Sequence, residues 1–448
     1  MARDKTTYRC TECGRETAKW GGQCPSCRAW NTLEEQTPAQ SARKRPKRVP
    51  RPQPITEIPL NAGEVRLRVG LPELDRVLGG GLVTGSLTLL GGDPGVGKST
   101  LLLMVLEAFS RRGLVTLYVS GEESTTQVRL RAERLGVHSP SLHLLAETDL
   151  DGVIAAAEEL KPTVLVLDSV QTLASGRLDS VPGSVSQVRE VAARAMELAK
   201  THDLATFLVG HVTKQGGIAG PKVLEHLVDT VLYFEGDGRS QLRALRATKN
   251  RFGATGELGF FEMATSGLVE VPDASARLLA ERVAEASGTA VTAAMEGSRP
   301  VLAELQALVG RPTPATPGRT VLGLDKGRLS MLLAVLGKCG HSLHDRDVFA
   351  SAAGGIRILE PGADLALAAS LVGSLRDRPV DPHTLVFGEI GLVGEVRAVG
   401  HPGPRIAEAR RHGFRRVIAP AIAARDAPEG IQVVGVRSLQ EALHALFP

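Results

Sequence analysis

A chain of 448 residues with an apolar fraction of 43% is long enough for two or three globular domains. A net charge of +4 and an aromatic content of 3% argue against a global basic field and against recognition by many stacked bases, so any nucleic-acid contact must come from local clusters. The first residues lack the apolar segment of a secretory signal, and the longest apolar run, residues 365–373, is too short to span a bilayer and predicts a buried helix. We therefore expect a cytoplasmic protein without a membrane partner.

Four of the five cysteines form two C-x-x-C pairs near the N-terminus, Cys10 with Cys13 and Cys24 with Cys27. Thiolates at this spacing suit tetrahedral zinc, and this cysteine usage fits a reducing cytoplasm. A segment of about thirty residues cannot fold on apolar burial alone, so bound metal would supply its stability. The pattern predicts a zinc ribbon over residues 1–35, with a structural rather than a catalytic Zn²⁺.

Residues 36–59 are predicted to be an extended linker, because they are rich in proline and have no apolar periodicity. The linker contains a basic run without an acidic residue. Such a run can bind DNA phosphates electrostatically, and it can equally be a solvated segment. Its basic residues are Arg43, Lys44, Arg45, Lys47, Arg48 and Arg51.

The next segment, residues 60–272, alternates apolar strands with amphipathic helices. The predicted strands are SLTLLGG, LVTLYVS, TVLVLDS and ATFLVGHV, and the predicted helices follow Lys98 and lie around 125–135 and 184–201. This alternation predicts an α/β fold with a mostly parallel sheet covered by helices on both faces. TVLYF, QLRALRATKN and ELGFFEM are then predicted as adjoining antiparallel strands. After a break in the pattern, residues 285–448 are predicted to form a second, smaller α/β domain.

GGDPGVGKST (91–100) contains the complete G-x-x-x-x-G-K-[ST] pattern between an apolar strand and an apolar helix. This context predicts a loop whose backbone N–H groups surround the phosphates of ATP or GTP. Lys98 would reach the β- and γ-phosphates, and Ser99 would bind Mg²⁺. The predicted nucleotide-binding residues are Gly92, Asp93, Pro94, Gly95, Val96, Gly97, Lys98, Ser99 and Thr100.

Further candidate residues stand where the predicted strands end. Asp168 ends TVLVLD and is predicted to join the Mg²⁺ shell. Glu122 and Glu123 follow another strand, and either is placed to polarise an attacking water. His211 is either a sensor of the γ-phosphate or simply a polar residue at a strand end. A glycine-rich loop after it carries two further candidates for DNA contact, Lys214 and Lys222.

The lead-in GLPELDRVLGGGLVTGSLTLLGG and the single core resemble the RecA-like ATPases. KNRFG at 249–253, after such a core and with a four-cysteine ribbon before it, resembles the bacterial RadA (Sms) family over essentially the whole chain. The resemblance implies a DNA-dependent ATPase and helicase that forms a hexameric ring and branch-migrates recombination intermediates in DNA repair beside RecA. It also implies single-stranded or branched DNA as partner and ATP, Mg²⁺ and Zn²⁺ as cofactors.

In RecA-like rings the nucleotide lies between subunits, and basic residues of the neighbour complete the site. Lys249 and Arg251 match the basic residues of the family's KNRFG motif. The resemblance therefore implies that they act as arginine-finger groups on the neighbour's γ-phosphate, or alternatively that they contact DNA. It also favours Lys214 and Lys222 for DNA contact, because such loops face the central channel of RecA-like rings.

Residues 354–374 and 387–414 resemble the proteolytic domain of Lon. Gly362 stands where the nucleophilic serine belongs, and Arg405 stands where the lysine belongs. Glycine has no nucleophile and a protonated arginine cannot act as general base, so peptidase activity is not expected. Ser351 and Ser370 lie outside the motif position. Scaffolding, ring assembly or a DNA-binding surface remain as roles for this domain.

Three classes of protein compete on this evidence: a ring-shaped DNA motor, an ATP-dependent protease and a nucleotide-switched scaffold. Gly362 and Arg405 disfavour the protease. In a scaffold, Glu122 and Asp168 would serve nucleotide binding rather than turnover. The sequence favours the DNA motor.

Overall fold

The computed structural model describes residues 7–10, 15–17, 19–30, 32–36, 54–57, 66–211, 221–236, 242–312, 317–426 and 428–448. The chain divides into two compact units, Met1–Gly63 and Glu64–Pro448. In its described residues the larger unit contains a nine-stranded sheet, a seven-stranded sheet and two sheets of two short strands. None of the helices in the described ranges is long and apolar enough to cross a membrane.

The smaller unit contains a three-stranded antiparallel sheet with the strand order β2-β1-β3. Its apolar core is small, because Cys10, Cys24 and Leu33 are the buried members and Tyr8 packs against them. A core of this size does not stabilise a domain by apolar burial alone. The strands are β1 (Thr7–Cys10), β2 (Glu16–Thr17) and β3 (Leu33–Gln36), and a 3₁₀ turn covers Ile55–Glu57.

The nine-stranded sheet has the order β14-β13-β12-β11-β6-β10-β9-β7-β8. The strands from β11 to β8 in this order run parallel, and β12, β13 and β14 continue the sheet antiparallel. The strands of the ATPase region are β4 (Arg66–Leu67), β5 (Leu82–Val83), β6 (Leu87–Gly92), β7 (Thr116–Ser120), β8 (Leu142–Ala146), β9 (Val164–Asp168), β10 (Ala205–His211), β11 (Thr230–Glu235), β12 (Leu242–Asn250), β13 (Leu258–Ala264) and β14 (Gly267–Glu270), where β4 and β5 form a separate antiparallel pair.

Helices cover both faces of this sheet. Leu90 of β6 packs into a cluster with α2, while Leu87 and Leu89 pack into another with α4 and α5. Neighbouring residues of a strand point to opposite faces, so a strand buried on both faces is apolar throughout. The helices are α1 (Pro72–Val77), α2 (Lys98–Ser110), α3 (Thr125–Arg134), α4 (Leu150–Leu160), α5 (Val185–His202) and α6 (Ala274–Leu279), with a 3₁₀ turn at Pro221–Val223.

The seven-stranded sheet of the Lon-like region has the order β17-β18-β16-β15-β19-β22-β23. Its helix α8 is buried over its first ten residues, which confirms the buried helix predicted at 365–373. The elements are β15 (Thr289–Glu296), β16 (Arg299–Gly310), β17 (Arg319–Leu322), α7 (Lys326–Lys338), β18 (Asp347–Ala352), α8 (Asp364–Arg376), β19 (Thr384–Val386), β20 (Glu389–Ile390), β21 (Val396–Arg397), α9 (Pro402–Arg411), β22 (Arg416–Pro420), β23 (Gln432–Val436) and α10 (Leu439–Leu446), with 3₁₀ turns at Ala353–Gly355, Pro361–Ala363 and Ala421–Asp426.

The predicted fold class is confirmed, because helices cover a mostly parallel sheet and a second α/β region follows. β8 and α4 were not predicted from the sequence. β8 lies at the edge of the sheet and none of its residues is buried, so it lacks the continuous apolar signal of the inner strands. The domain limits predicted at 60–272 and 285–448 stay a prediction.

Candidate functional site

The phosphate-binding loop predicted at 92–100 joins β6 to α2 and bends at two glycines, Gly92 (φ 153°) and Gly97 (φ 116°). A Cβ on Gly92 would lie 2.6 Å from the carbonyl oxygen of Phe234 on β11, so the loop needs glycine there. A Cβ on Gly95 would meet nothing within 4 Å. The loop is therefore tight against the sheet and open on its outer side, where the N-terminus of α2 favours an anion. It contains Gly92, Asp93, Pro94, Gly95, Val96, Gly97, Lys98, Ser99 and Thr100.

Lys98 is folded back onto this loop. Its Nζ donates hydrogen bonds to the carbonyl oxygens of Gly92 (2.8 Å) and Asp93 (3.0 Å), and the residue is only 4% exposed. Burial lowers the pKa of Lys98, while the negative charges of Asp168, Asp93 and Glu122 oppose that change. A cation held at the mouth of an N–H-lined loop suits the phosphates of a nucleotide, so these residues fit ATP.

Asp168 lies at the carboxyl end of β9, where its Oδ2 accepts a hydrogen bond of 2.7 Å from Ser99 Oγ. A serine hydroxyl and a carboxylate at this distance are oxygen ligands of the kind that Mg²⁺ prefers. The two predicted ligands are therefore brought together, and the site fits Mg²⁺ beside the phosphate-binding loop.

Tyr118 on β7 was not predicted as part of this site. Its hydroxyl donates a 2.5 Å hydrogen bond to the same Oδ2 of Asp168. Burial, followed by the charge of Asp168, raises the pKa of Tyr118 well above its usual value, so the phenol stays a donor. Two hydroxyl groups thus hold one carboxylate oxygen. The signal in the sequence was an aromatic residue between the aliphatic Leu117 and Val119.

Glu122 and Glu123 have different surroundings. Glu123 makes a two-pronged ion pair with Arg131, with both N–O distances 2.7 Å. Glu122 Oε1 instead accepts from Ser169 Oγ (2.6 Å) and lies 3.2 Å from His211 Nε2. The charge of Glu123 is committed to Arg131, so Glu122 is the better candidate for polarising a water.

His211 is the last residue of β10, and its register partner on β6 is Gly92, the first residue of the phosphate-binding loop. This pairing places the histidine beside the loop as well as beside Glu122. The carboxyl ends of parallel strands meet at one edge of a sheet. That edge brings the candidate residues of β6, β9 and β10 together although they are far apart in the chain.

A cavity of about 180 Å³ continues from the first turn of α2 towards the β13–β14 turn. Its lining includes Thr100 and, unpredicted by the sequence analysis, Arg134, Leu135 and Met263. Apolar and cationic groups suit the flat face of a nucleobase. The cavity is thus a place for the remainder of a nucleotide held by the phosphate-binding loop.

KNRFG lies at the other end of the strands of this sheet, opposite the carboxyl ends that carry the phosphate-binding loop. Asn250 pairs with Thr230 of β11, which in turn pairs with Thr88 of β6. Arg251 Nη1 lies 3.0 Å from Asp229 Oδ1, and the other carboxylate oxygen of Asp229 accepts from the backbone N–H of Leu87 at 3.2 Å. Since β6 runs from Leu87 to Gly92, Arg251 lies at the strand end remote from the phosphate-binding loop.

The two basic residues of KNRFG are held differently. Lys249 Nζ donates to the carbonyl oxygens of Glu225 (2.6 Å) and Val228 (2.8 Å), and burial together with Arg251 lowers the pKa of Lys249. The Arg251 side chain is 55% exposed. Lys249 therefore holds the chain before β11 in place, whereas Arg251 keeps about half of its side chain exposed while its Nη1 pairs with Asp229.

Of the candidates for DNA contact, Lys222 is exposed on the turn Pro221–Val223. Lys214 and the basic run of the linker lie outside the described residues, which leave out 37–53 and 212–220.

The predicted zinc site has three of its four ligands in the described part of the chain. The sulfur atoms of Cys10, Cys24 and Cys27 lie within 4.8 Å of one another, and Cys10 and Cys24 are buried. The backbone N–H groups of Cys27 and Ser26 lower the pKa of the Cys24 thiol, which favours the thiolate that binds metal. The arrangement fits Zn²⁺. Cys13 lies outside the described residues.

Gly362 and Arg405, the two positions of the degenerate Lon dyad, are neighbours in space. A Cβ on Gly362 would lie 3.3 Å from Arg405 Nη1. Arg405 is 0% exposed, donates to the carbonyl oxygens of Ala293 (2.5 Å) and Gly400 (3.0 Å), and forms a two-pronged ion pair with Glu360. The cation that replaces the lysine is thus a paired structural group.

The two serines considered beside this dyad lie elsewhere. Ser351 is on β18, and Ser370 is buried within α8, where its hydroxyl bonds back to the carbonyl oxygen of Leu367.

Protein purified with ample zinc should contain about one zinc per chain, because two C-x-x-C pairs supply four ligands. Cys24→Ser should lower the zinc content sharply, since a buried thiolate is lost, while ATP binding by the separate unit Glu64–Pro448 persists. Metal analysis by mass spectrometry provides the measurement. Cys339→Ser is the control and should keep its zinc. Full zinc content in Cys24→Ser would contradict this site.

Tyr118→Phe should raise the Mg²⁺ concentration needed for half-maximal ATP binding several-fold, because Asp168 loses a hydrogen bond of a kind that contributes about 1.5–3 kcal/mol. A titration of fluorescent ATP binding with Mg²⁺ measures the effect. Tyr233→Phe is the matched control, since that phenol donates to Glu225 at 3.1 Å. Equal Mg²⁺ requirements in Tyr118→Phe and wild type would show that Tyr118 does not hold Asp168 for the metal.

Three segments of the chain match known families. Residues 8–35 match a rubredoxin metal-binding domain, residues 56–217 an AAA domain, and residues 344–442 the Lon protease (S16) C-terminal proteolytic domain. A KaiC-like protein of Pyrococcus horikoshii, known from a crystal structure, is 20% identical and aligns with a TM-score of 0.40 over 47% of this chain and 100% of that chain.

Curated relatives match over the full length. The DNA repair protein RadA of Bacillus subtilis is 48% identical, and the alignment covers 99% of both chains. DNA repair protein RadA of Pseudomonas aeruginosa is 49% identical and that of Streptococcus pyogenes serotype M1 is 47% identical, each with 100% of both chains covered. Because these relatives are 47–49% identical over 99–100% of both chains, the chain belongs to the RadA family of DNA repair proteins.

Proposed function

We propose that this protein is a DNA-dependent ATPase and helicase that assembles into a hexameric ring and branch-migrates recombination intermediates together with RecA. The proposal rests on the position of Arg251, at the end of the strands opposite the phosphate-binding loop. One subunit then presents the phosphate-binding loop at one end of its sheet and Arg251 at the other. This arrangement suits a ring in which each subunit completes the hydrolysis site of its neighbour.

The separation supports action on a neighbouring subunit. Arg251 lies level with Leu87, and five residues of a strand at about 3.3 Å each span about 16 Å to Gly92. This is farther than an arginine side chain extends, so Arg251 does not serve the phosphate-binding loop of its own chain. Its half-exposed side chain, of which Nη1 contacts Asp229, suits a phosphate presented by another copy.

Within one site, each candidate residue has a distinct task in hydrolysis. Lys98 exchanges its bonds to loop carbonyls for the β- and γ-phosphates, and Ser99 and Asp168 hold Mg²⁺, which neutralises phosphate charge when bound. Glu122 orients the attacking water and accepts its proton. Arg251 of the neighbour stabilises the charge that develops on the transferred group.

His211 provides a physical connection from hydrolysis to DNA. It contacts Glu122 and directly precedes, in the chain, the segment 212–220 with Lys214, so a change at the γ-phosphate would reach that segment through the imidazole. Lys214 and Lys222 would then hold DNA phosphates in the ring channel without reading sequence. The basic linker is a further surface for such contacts.

The Lon-like region is proposed to serve assembly rather than peptide hydrolysis. A Ser–Lys dyad needs a nucleophile and a base that can lose its proton, but Gly362 offers no nucleophile and Arg405 stays protonated. The ion pair with Glu360 further commits the guanidinium to the core of the domain.

Arg251→Ala should bind ATP almost normally and lose most DNA-stimulated hydrolysis, since fingers of this kind contribute roughly 10³–10⁵ in rate. Mixing Arg251→Ala with Lys98→Ala subunits should restore part of the activity, because a Lys98→Ala subunit supplies its Arg251 to a neighbour with an intact phosphate-binding loop. Phosphate release with single-stranded and branched DNA measures turnover. Arg251→Lys should retain only part of it, since a point charge lacks the planar fork.

Assembly controls decide the interpretation of this mixture. Light scattering must show that each variant forms rings, and differently labelled subunits must exchange. Lost DNA binding by Arg251→Ala, without recovery in mixed rings, would move KNRFG to the DNA surface. Wild-type ATP binding without any DNA-stimulated turnover would favour the nucleotide-switched scaffold.

Gly362→Ser should not create peptidase activity, because the neighbouring Arg405 is a buried, ion-paired cation that cannot accept the serine proton. A fluorescent casein assay with ATP and DNA measures cleavage, with the wild-type protein as background. Arg405→Lys combined with Gly362→Ser should also stay at background, since Glu360 keeps the lysine protonated. Cleavage that rises in Gly362→Ser would refute the loss of the dyad.

A further inference from the structure

The turn between β15 and β16 in the Lon-like region, residues 296–299, packs against the ATPase region. Its backbone N–H at Ser298 donates a 2.8 Å hydrogen bond to Oε1 of Glu257, a residue only 5% exposed. A Cβ on Gly297 (φ 61°) would lie 2.7 Å from the Glu257 carboxyl carbon, so the close approach requires glycine. The turn is thus fitted to one buried carboxylate.

Glu257 closes the loop that carries KNRFG. Beyond Ala247 the last residues of β12 and the loop after it carry KNRFG, and the chain returns at Gly256, where the N–H of Gly256 bonds to the carbonyl oxygen of Ala247 (2.7 Å). The N–H of Ala247 bonds in turn to the carbonyl oxygen of Glu257 (3.0 Å). Arg251 lies within the loop that these hydrogen bonds close, so a contact at Glu257 acts on the base of the loop.

The same turn also holds the incoming strand. Glu296 Oε2 accepts a 2.5 Å hydrogen bond from Nη1 of Arg246, the residue of β12 directly before the loop. Arg246 Nε donates to Glu235 on β11 at 3.2 Å. Consequently both ends of the loop, Arg246 and Glu257, contact neighbouring positions of one turn.

A third contact reaches the helix behind the loop. Arg299 Nη1 lies 3.4 Å from Oε1 of Glu73, a buried residue of α1. The end of α1 and the segment after it contact KNRFG, because Asn250 Nδ2 donates to the carbonyl oxygen of Val77 (3.4 Å) and a Cβ on Gly253 would lie 3.0 Å from the Cα of Gly79.

We propose that the turn 296–299 is a positioning clamp that sets the place of Arg251 for the neighbouring subunit's nucleotide, with Glu257 as its central residue. This inference rests on the proposed trans role of Arg251. It assigns to the Lon-like region, which lacks the serine and lysine of a protease, a part in ATP turnover through a loop of the ATPase region.

The physical reason lies in the precision that a finger requires. Transition-state stabilisation depends on donors placed before the reaction, and a displacement of about 1 Å can cost about 100-fold in rate. Arg251 already contacts Asp229, and Lys249 and Asn250 also bond to neighbouring residues. Contacts at both ends of the loop and at the supporting helix further restrict the positions of Arg251 without touching the phosphate-binding loop.

The test compares full-length wild type with Glu257→Ala, Glu257→Gln and Glu281→Ala, the last removing a carboxylate that is 87% exposed. Glu257→Ala should lower DNA-stimulated kcat about tenfold or more, within the range expected for a misplaced group, with little change in KM for ATP. Glu257→Gln keeps an oxygen acceptor for the Ser298 N–H and should recover most of kcat. Glu281→Ala should behave as wild type.

Hydrogen exchange supplies a readout that does not depend on turnover. In Glu257→Ala the amides of 248–256 should exchange faster, while those of 92–100 stay unchanged. Mixing Glu257→Ala with Lys98→Ala should restore activity as expected for Arg251→Ala, because both variants keep the phosphate-binding loop and fail to supply the finger.

The outcomes separate the two proposals. Wild-type kcat in Glu257→Ala, together with lost turnover in Arg251→Ala, would overturn the clamp and leave the finger intact. Unchanged exchange in 248–256 would also overturn the clamp, whatever the kinetics show. Normal turnover in Arg251→Ala would overturn both. Should Glu257→Ala melt too early for assay, Arg299→Ala is judged by the same three criteria.

Discussion

The pairing of β11 with β6 is the constraint on which the arrangement of the candidate sites depends. It runs parallel from Thr230 and Thr88 to Phe234 and Gly92, so the two strands begin and end together. The phosphate-binding loop lies at one end of this pair, while β12 returns antiparallel and delivers KNRFG to the other. The phosphate-binding loop and Arg251 therefore lie at opposite ends of one sheet, and the proposed action of Arg251 on a neighbouring subunit depends on this separation.

Buried charges in the two α/β regions are used in different ways. Lys98 is buried with its ammonium bonded to loop carbonyls, which a phosphate can replace. Arg405 is buried in a two-pronged ion pair with Glu360 and has no comparable freedom. Breaking a buried pair of this kind typically costs about 3–5 kcal/mol. Arg405 is therefore better explained by its contribution to stability than by a role in peptide hydrolysis.

Contacts between the two regions include an apolar cluster, in which Val301 of β16 packs with Leu258 and Phe260 of β13, and several polar pairs. Besides the turn 296–299, Ser275 of α6 donates to Glu408 of α9 at 2.6 Å, and Arg411 lies 3.3 Å from Asp273. Charged groups at such a junction fix orientation more than they add free energy. The contacts of the turn 296–299 are the route by which the proposed clamp would act on the loop of KNRFG.

Local patterns in the sequence determined the fold class, the phosphate-binding loop and the pairing of Ser99 with Asp168, because strand and loop signals depend on neighbouring residues. They also predicted the cysteine cluster and the meeting of Gly362 with Arg405. Only the tertiary structure separated Glu122 from Glu123, since the ion pair with Arg131 depends on how α3 packs. Strand register and packing between residues distant in the chain likewise decided the contact of Tyr118 with Asp168, the end of the sheet at which Arg251 lies and the contact of Glu257 with Ser298. No local sequence pattern records these.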